Sequence, residues 1–250
     1  MDPEPVGFWS AASKDGENFY PFNRFLKATG SCQIMSQTAL QAESQFKQLT
    51  RETNLEYKAD ITAGSLKVSE SRVVADLLLQ NVSKAEWNAA VMDDNILQTR
   101  NPATGKRLAR LIRNRLDTMS PELWEMVRDG NALVATHSCL AAAVKHSALL
   151  ADFLELVVKE QYQIFAKELS GSLWDDFLLG CASRDPSVDL WRKSTIIRLK
   201  SSVFYVLEQA GYIEDTKTMR LQTVYISREV VRYLEAHNED NVLRCIQIAS

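Results

Sequence analysis

The sequence contains few cysteines and no long apolar run, and these absences exclude several classes of protein. Its four cysteines, Cys32, Cys139, Cys181 and Cys245, are too widely spaced for a CxxC pair or a zinc module and too few for a disulfide-rich secreted scaffold. The longest apolar stretches, such as residues 140–144, are far shorter than the roughly 20 residues that span a bilayer. We therefore expect reduced thiols and no membrane segment.

The N-terminus also lacks the features of a signal peptide. Residues 1–20 include acidic side chains and no apolar segment, so we expect a cytoplasmic protein. The chain has 29 Lys and Arg against 32 Asp and Glu, a formal net charge of −3. This balance excludes the overall basic charge of a histone-like protein, and any contact with nucleic acid must come from a local basic surface.

Catalytic and cofactor motifs are missing as well. The Gly-Lys pair at 105–106 suggests a phosphate-binding P-loop, but that pattern needs Gly at position 100 and Ser or Thr at 107, and both residues are Arg. His137 and Cys139 are two residues apart in a predicted helix and face different directions, which favours core packing over a metal site. We therefore expect a protein that is not an enzyme and that holds no cofactor and no metal.

Apolar residues recur with helical spacing over most of the chain beyond residue 54, which predicts an all-α fold class. The predicted helices cover residues 69–79, 83–91, 102–117, 121–128, 131–149, 151–168, 172–182, 188–210 and 227–236. Alternating apolar residues around a polar turn predict one small β-hairpin within residues 211–226.

The composition divides the chain into an N-terminal extension and a main body. Residues 1–54 carry several aromatics among Gly, Pro, Asn and Ser without a sustained period, and the segment either docks on the body or binds a partner. We expect a helix-turn-helix region over residues 55–130 and a helical region with a winged-helix-like C-terminal part over residues 131–250. Residues 55–250 are predicted to form one body.

The strongest charge feature lies between Gln98 and Leu116. This segment has six positive residues and no acidic residue in a chain with a net charge of −3. The short predicted helices before it, followed by a basic helix, resemble a helix-turn-helix array, whose last helix enters the major groove of DNA. Arg115 falls among the apolar positions of the helix, where it needs an acidic partner or a path to solvent. The predicted DNA contacts here are Arg100, Lys106, Arg107, Arg110 and Arg113.

A second basic segment lies in the C-terminal third. Residues 191–201 contain four cations and no acid, and the predicted hairpin that follows adds two more. The order helix, helix, hairpin is that of a winged helix, a fold that binds DNA or docks proteins. The predicted contacts here are Arg192, Lys193, Arg198, Lys200, Lys217 and Arg220.

Phosphate contacts of this kind predict salt-sensitive binding with a weak sequence preference. If the two segments neutralise about five phosphates, affinity falls on the order of 10²–10³-fold between 50 and 200 mM salt. Two alternatives stay open. The basic faces could dock acidic protein partners, as in an adaptor, or they could bind RNA on a helical scaffold.

Short segments spread over residues 57–236 resemble the BrxA family of the bacteriophage-exclusion (BREX) phage-defence systems. In chain order they are YKADITAG at 57–64, ESRVVA at 70–75, NIL at 95–97, RNRL at 113–116, LW at 123–124, KHS at 145–147, DF at 152–153, WDDF at 174–177, RDP at 184–186, AGYI at 210–213 and YIS at 225–227. No single segment is diagnostic, but their order makes the resemblance specific.

The resemblance implies a cytoplasmic, all-helical protein with two helix-turn-helix elements that binds double-stranded DNA. It also implies that the protein has no catalytic activity. Its partners are then expected among the other BREX components, including the methyltransferase. Residues 1–54 lie outside the resemblance. Together with the basic segments, it favours a DNA-binding accessory protein of antiviral defence.

Overall fold

The structure, a computed structural model, describes residues 56–61 and 65–248 of the 250-residue chain. Its helices are α1 (Val68–Leu79), α2 (Lys84–Asn88), α3 (Pro102–Leu116), α4 (Pro121–Asp129), α5 (Ala132–His146), α6 (Ala148–Asp152), α7 (Lys159–Gln163), α8 (Ser172–Arg184), α9 (Lys193–Gln209), α10 (Arg228–Ala236) and α11 (Asp240–Ile246). Helix α2 continues as a π-helix over Ala89–Asp93, α6 continues as one over Phe153–Val158, and a 3₁₀ helix over Pro186–Leu190 precedes α9.

The described residues form helices and no β-strand, which confirms the all-α fold class. Every predicted helix overlaps a helix of the structure, whereas α11 was not predicted. The predicted extension over residues 1–54 and both of its possible roles lie outside the described ranges. None of the helices in those ranges is long and apolar enough to cross a bilayer.

Local signals explain where the helices near the first basic segment begin. The Ser83 hydroxyl accepts a hydrogen bond from the amide of Glu86, whose carboxylate accepts from the Ser83 amide, and this capping box starts α2. The Asn101 side chain accepts from the amide of Ala103 at 2.8 Å, and Pro102 occupies the first helical position of α3. These caps set where α2 and α3 begin, and both helices line the groove described below.

Helix α5 lies at the centre of the core and packs against α1, α3, α4, α6, α10 and α11. Its buried run of small residues at 141–143 allows these helices to approach closely. His137 of α5 is also buried, and its Nδ1 atom accepts a hydrogen bond from the amide of Ser227 at 3.0 Å, which anchors the start of α10. His137 is thus a core residue, as its spacing predicted.

A second part of the core is aromatic and joins the C-terminal helices. The ring of Phe153 makes edge contacts with Trp174, Phe177 and Phe204, with centroids 5.1–5.9 Å apart. Trp174 is fully buried. These rings hold α8 and α9 against the π-helical continuation of α6, so the second basic segment lies on a rigid support.

The structure does not confirm the predicted β-hairpin at 211–226, because these residues form no β-strand. The structure has two isolated antiparallel bridges there, Ile213 with Leu221 and Glu168 with Arg220. The backbone of residues 219–222 divides its hydrogen bonds between residues 212–215 on one side and residues 167–169 on the other. Because each pairing includes so few residues, no continuous ladder forms.

Candidate nucleic-acid interface

Helix α3 buries one face and exposes the other. Leu108, Ile112 and Leu116 are buried against the core. The four cations of its opposite face are exposed to solvent: Lys106, Arg107, Arg110 and Arg113. Arg100, just before the helix, is exposed too. The amphipathic pattern therefore places the predicted cations on the outer surface of the molecule.

Most of these cations have no acidic partner. Arg113 lies 3.4 Å from Asp117 through its Nε atom, and its guanidinium lies 4.8 Å from the ring of Trp87. Among the described residues, no carboxylate forms an ion pair with the others, which are Arg100, Lys106, Arg107 and Arg110. Their charges are available to an anionic ligand.

A groove of about 430 Å³ lies between α2 and α3 beside these cations. Its apolar lining includes Trp87 and Met92, and its charged lining includes Lys84, Lys106 and Arg110. Lys84 is not among the contacts that the sequence predicts. Lys84 precedes α3 by many residues in the sequence. Only the packing of α2 against α3 shows that Lys84 lies beside the cations of α3.

Arg115 is the exception on α3, because it is only 4% exposed. Its Nη1 atom donates a hydrogen bond to the carbonyl oxygen of Ser65 at 2.9 Å. Burial lowers the pKa of Arg115, and the nearby charge of Asp60 partly opposes that effect. Arg115 therefore meets a backbone carbonyl and an acidic neighbour inside the protein and does not reach solvent.

The outer face of α9 is exposed over its whole length. It combines cations, hydroxyl groups and one aliphatic side chain, namely Lys193, Ser194, Ile197, Arg198, Ser201 and Tyr205. Arg192, directly before the helix, is exposed as well. Within the described part of the chain, no ion pair engages Arg192, Lys193 or Arg198.

Lys200 differs from the other cations of α9 because the protein itself binds it. Its Nζ atom donates to the carbonyl oxygen of Gly171 at 2.7 Å and lies 3.5 Å from a carboxylate oxygen of Asp175. The side chain is half-buried. Lys200 therefore links α9 to the beginning of α8, and its predicted role as a DNA contact competes with this structural one.

The two cations predicted for the hairpin also differ. Lys217 is exposed and has no ion pair with any described residue, whereas Arg220 lies 3.7 Å from Glu214. The Asp215 carboxylate accepts hydrogen bonds from the amides of Lys217 and Thr218, which holds the turn and lowers the pKa of Asp215. The turn thus presents Lys217 on a defined support.

The three thiols that the structure describes show no sign of chemical activation. Cys139, Cys181 and Cys245 are buried and free, and burial raises their pKa values to about 11, 11 and 12. Cys32 lies outside the described residues. In the ranges that the structure covers, no set of three His, Cys, Asp or Glu side chains is arranged to hold a metal ion.

One Ser–His contact exists that the sequence did not predict. The Ser120 hydroxyl lies 3.3 Å from Nε2 of His237 and 3.0 Å from the hydroxyl of Tyr233, and Nε2 also lies 3.2 Å from Glu122. Ser120 precedes α4, whereas Tyr233 and His237 belong to α10 and the residue after it. The cluster therefore ties α4 to α10.

Comparisons with known proteins point to one family. The sequence model of the BrxA family matches residues 55–238 of this chain. A "BREX protein BrxA" of Paramagnetospirillum magneticum is 50% identical over 193 residues, which are 77% of this chain and 97% of that protein. A protein of the same name from Escherichia coli O9:H4 (strain HS) is 29% identical over 188 residues, or 75% of this chain and 88% of its own length.

A crystal structure of a protein from Magnetospirillum magneticum is also similar to this one. The TM-score is 0.73 at 49% sequence identity, and the match covers 78% of this chain and all of that chain. The family match begins at residue 55, directly after the segment that the sequence composition set apart as an extension.

Proposed function

Because this chain belongs to the BrxA family, we propose that it is a DNA-binding accessory protein of a BREX phage-defence system. It binds double-stranded DNA through the outer faces of α3 and α9 and catalyses no reaction. Binding is mainly to phosphates and groove shape, with a weak preference for sequence.

The observation that carries this proposal is that most of the predicted cations are exposed and form no ion pair with a described residue. Of the eleven, only Arg113, Lys200 and Arg220 form ion pairs within the described residues, and the other eight are exposed and unpaired. A net-acidic protein that keeps unpaired cations on two helical faces has surfaces suited to the phosphates of a duplex.

The order of elements around α9 supports a winged helix in the C-terminal part. A segment near Glu168 precedes α8 and α9, and it forms a bridge with Arg220 in the segment that follows α9. In this arrangement α9 is the recognition helix. Its exposed cations would contact phosphates or guanine, and Ile197 would contact a thymine methyl group.

The absence of catalysis is part of the same proposal. The thiols of the described residues are buried with raised pKa values, and the hydroxyl of Ser120 is held between Tyr233 and His237 in a contact that joins two helices. We assign both arrangements to the packing of the fold and not to nucleophilic catalysis. We also place the protein in the cytoplasm, beside the methyltransferase and other BREX components.

An adaptor function is the second candidate, because several large apolar side chains are exposed. Phe165 is 91% exposed, Leu190 82% and Tyr225 77%. Such residues are enriched in protein interfaces. In that case the apolar surface would bind another BREX component, and the cationic faces would bind acidic protein surfaces.

Charge reversal on α3 tests the DNA-binding proposal. A triple variant changes Lys106, Arg110 and Arg113 to Glu, and its affinity for duplex DNA is measured by fluorescence anisotropy at several salt concentrations. The slope of log K against log salt should become smaller by about 3, because each neutralised phosphate adds about 0.9 to that slope.

A matched control reverses three cations outside both faces, Lys58, Arg228 and Arg232, and so changes the net charge by the same amount. The control should keep the slope of the unmodified protein. Equal slopes for the folded triple variant and the unmodified protein would contradict a DNA contact on α3. No salt-sensitive binding at all, for duplex or RNA hairpin, would favour the adaptor.

A further inference from the structure

One peptide group connects the two cationic helices. The carbonyl oxygen of Ser65 accepts a hydrogen bond from Nη1 of Arg115, near the end of α3, at 2.9 Å. The amide of Leu66 donates to Oε1 of Gln209, the last residue of α9, at 2.8 Å. These two backbone groups belong to the same peptide unit, which we call the strap.

The strap is stiff because of its covalent geometry and its surroundings. A trans peptide is planar, and its C=O and N–H bonds point in opposite directions, so the strap extends from one helix to the other. Ser65, Leu66 and Arg115 are all buried. Breaking either hydrogen bond leaves a buried polar group without its partner, which is costly in a low-dielectric interior.

The strap also limits how far apart the two sets of cations lie. The Cα atoms of Arg115 and Gln209 lie within about 20 Å of each other, because only two side chains, one peptide unit and two hydrogen bonds separate them. At 1.5 Å per residue, Lys106 lies about 14 Å from Arg115 along α3, and Lys193 lies about 24 Å from Gln209 along α9. Both sets therefore fit within about 60 Å, or about 18 base pairs of duplex at 3.4 Å each.

We infer that the strap fixes the outer faces of α3 and α9 relative to each other as the two halves of a bivalent DNA-binding unit, with Arg115 and Gln209 as its positioning residues. The inference rests on the proposed function, because it requires both faces to contact the same duplex. When one face is bound, a stiff connection keeps the other near its phosphates and raises its effective concentration. Neither positioning residue contacts DNA.

The test removes the strap and asks whether the two faces still act together. Gln209→Met deletes the acceptor of the Leu66 amide, and Gln209→Glu keeps an acceptor there. Gln209 is exposed, so both variants should fold. Gln163→Met and Gln163→Glu, at another exposed glutamine that ends a helix, are the matched controls.

Each variant is made in three backgrounds. These are the unmodified protein, an α3 variant with Lys106 and Arg110 changed to Glu, and an α9 variant with Lys193 and Arg198 changed to Glu. Affinity for a 24-base-pair duplex is measured by fluorescence anisotropy. Circular dichroism and thermal unfolding establish that every variant is folded.

Gln209→Met should weaken binding about fivefold in the unmodified background, which corresponds to one net hydrogen bond. It should have no effect in either reversed background, because the strap matters only when both faces bind. Gln209→Glu should match Gln163→Glu in every background. Arg115→Lys, which keeps a positive donor on a shorter side chain, provides a second way to strain the strap and should show the same dependence on background.

Two results would overturn the inference while the proposed function holds. One is binding by the unmodified protein with no effect of Gln209→Met. The other is an equal effect of Gln209→Met in all three backgrounds, which would indicate a general loss of structure. If the unmodified protein did not bind duplex DNA, the proposed function would fall, and the inference with it.

Discussion

Two lysines on the same helix should respond in opposite ways to substitution, because the structure gives them different environments. Lys193 is exposed at the start of α9 without an ion pair among the described residues. Lys200 donates to the carbonyl oxygen of Gly171 at 2.7 Å and lies near Asp175. Both were predicted from the sequence as DNA contacts. The structure therefore separates an exposed lysine that is available to a ligand from one that the fold itself binds.

Their alanine variants measure this difference. Lys193→Ala should lower the salt slope of duplex binding by about 0.9, the value for one phosphate contact, and should change the free energy of unfolding by less than about 0.5 kcal/mol. Lys200→Ala removes a charge-assisted hydrogen bond from a half-buried site and should cost about 1–2 kcal/mol of stability. Its salt slope should stay close to that of the unmodified protein.

Fluorescence anisotropy across a salt series measures the slope, and urea denaturation measures the free energy of unfolding. The two variants carry the same change in charge and lie on the same helix, so each is the control for the other. If both variants lowered the salt slope equally and Lys200→Ala left the free energy of unfolding unchanged, the structural role given to Lys200 would be refuted.

Two further predictions concern stability. Burial lowers the pKa of His137 below its usual value near 6.5, so the unfolded chain binds a proton more readily than the folded protein. The free energy of unfolding should therefore fall as pH drops below about 6.5, by at most about 1.4 kcal/mol per pH unit. Urea denaturation at pH 7.5–5 should show this loss relative to His137→Gln, and parallel curves would contradict it. Gly211 has a φ of +83° at the end of α9. Gly211→Ala should therefore lower the free energy of unfolding by about 1 kcal/mol in the same assay at pH 7.5. An unchanged urea midpoint would show that alanine is not strained at this position.

The helices were predictable because their signals are local. The caps at Ser83 and Asn101 and the 3.6-residue apolar period act within one or two turns of chain. The same period predicted which face of α3 is exposed, since the apolar face must pack against the core. The C-terminal hairpin was not confirmed for the opposite reason. The backbone near Arg220 also bonds to residues 167–169, and no local pattern indicates that these residues are close.

The same distinction between local signals and distant contacts applies to the candidate site. By itself the sequence determined that α3 and α9 are helices with cationic outer faces, because residue spacing alone sets the side of a helix on which a charge lies. Only the tertiary structure decided which cations are available and which are bound inside the protein. It pairs Lys200 with Gly171 and Arg115 with Ser65, and it brings Lys84 beside α3. These contacts join residues that are distant in sequence, so they exist only once the helices have packed.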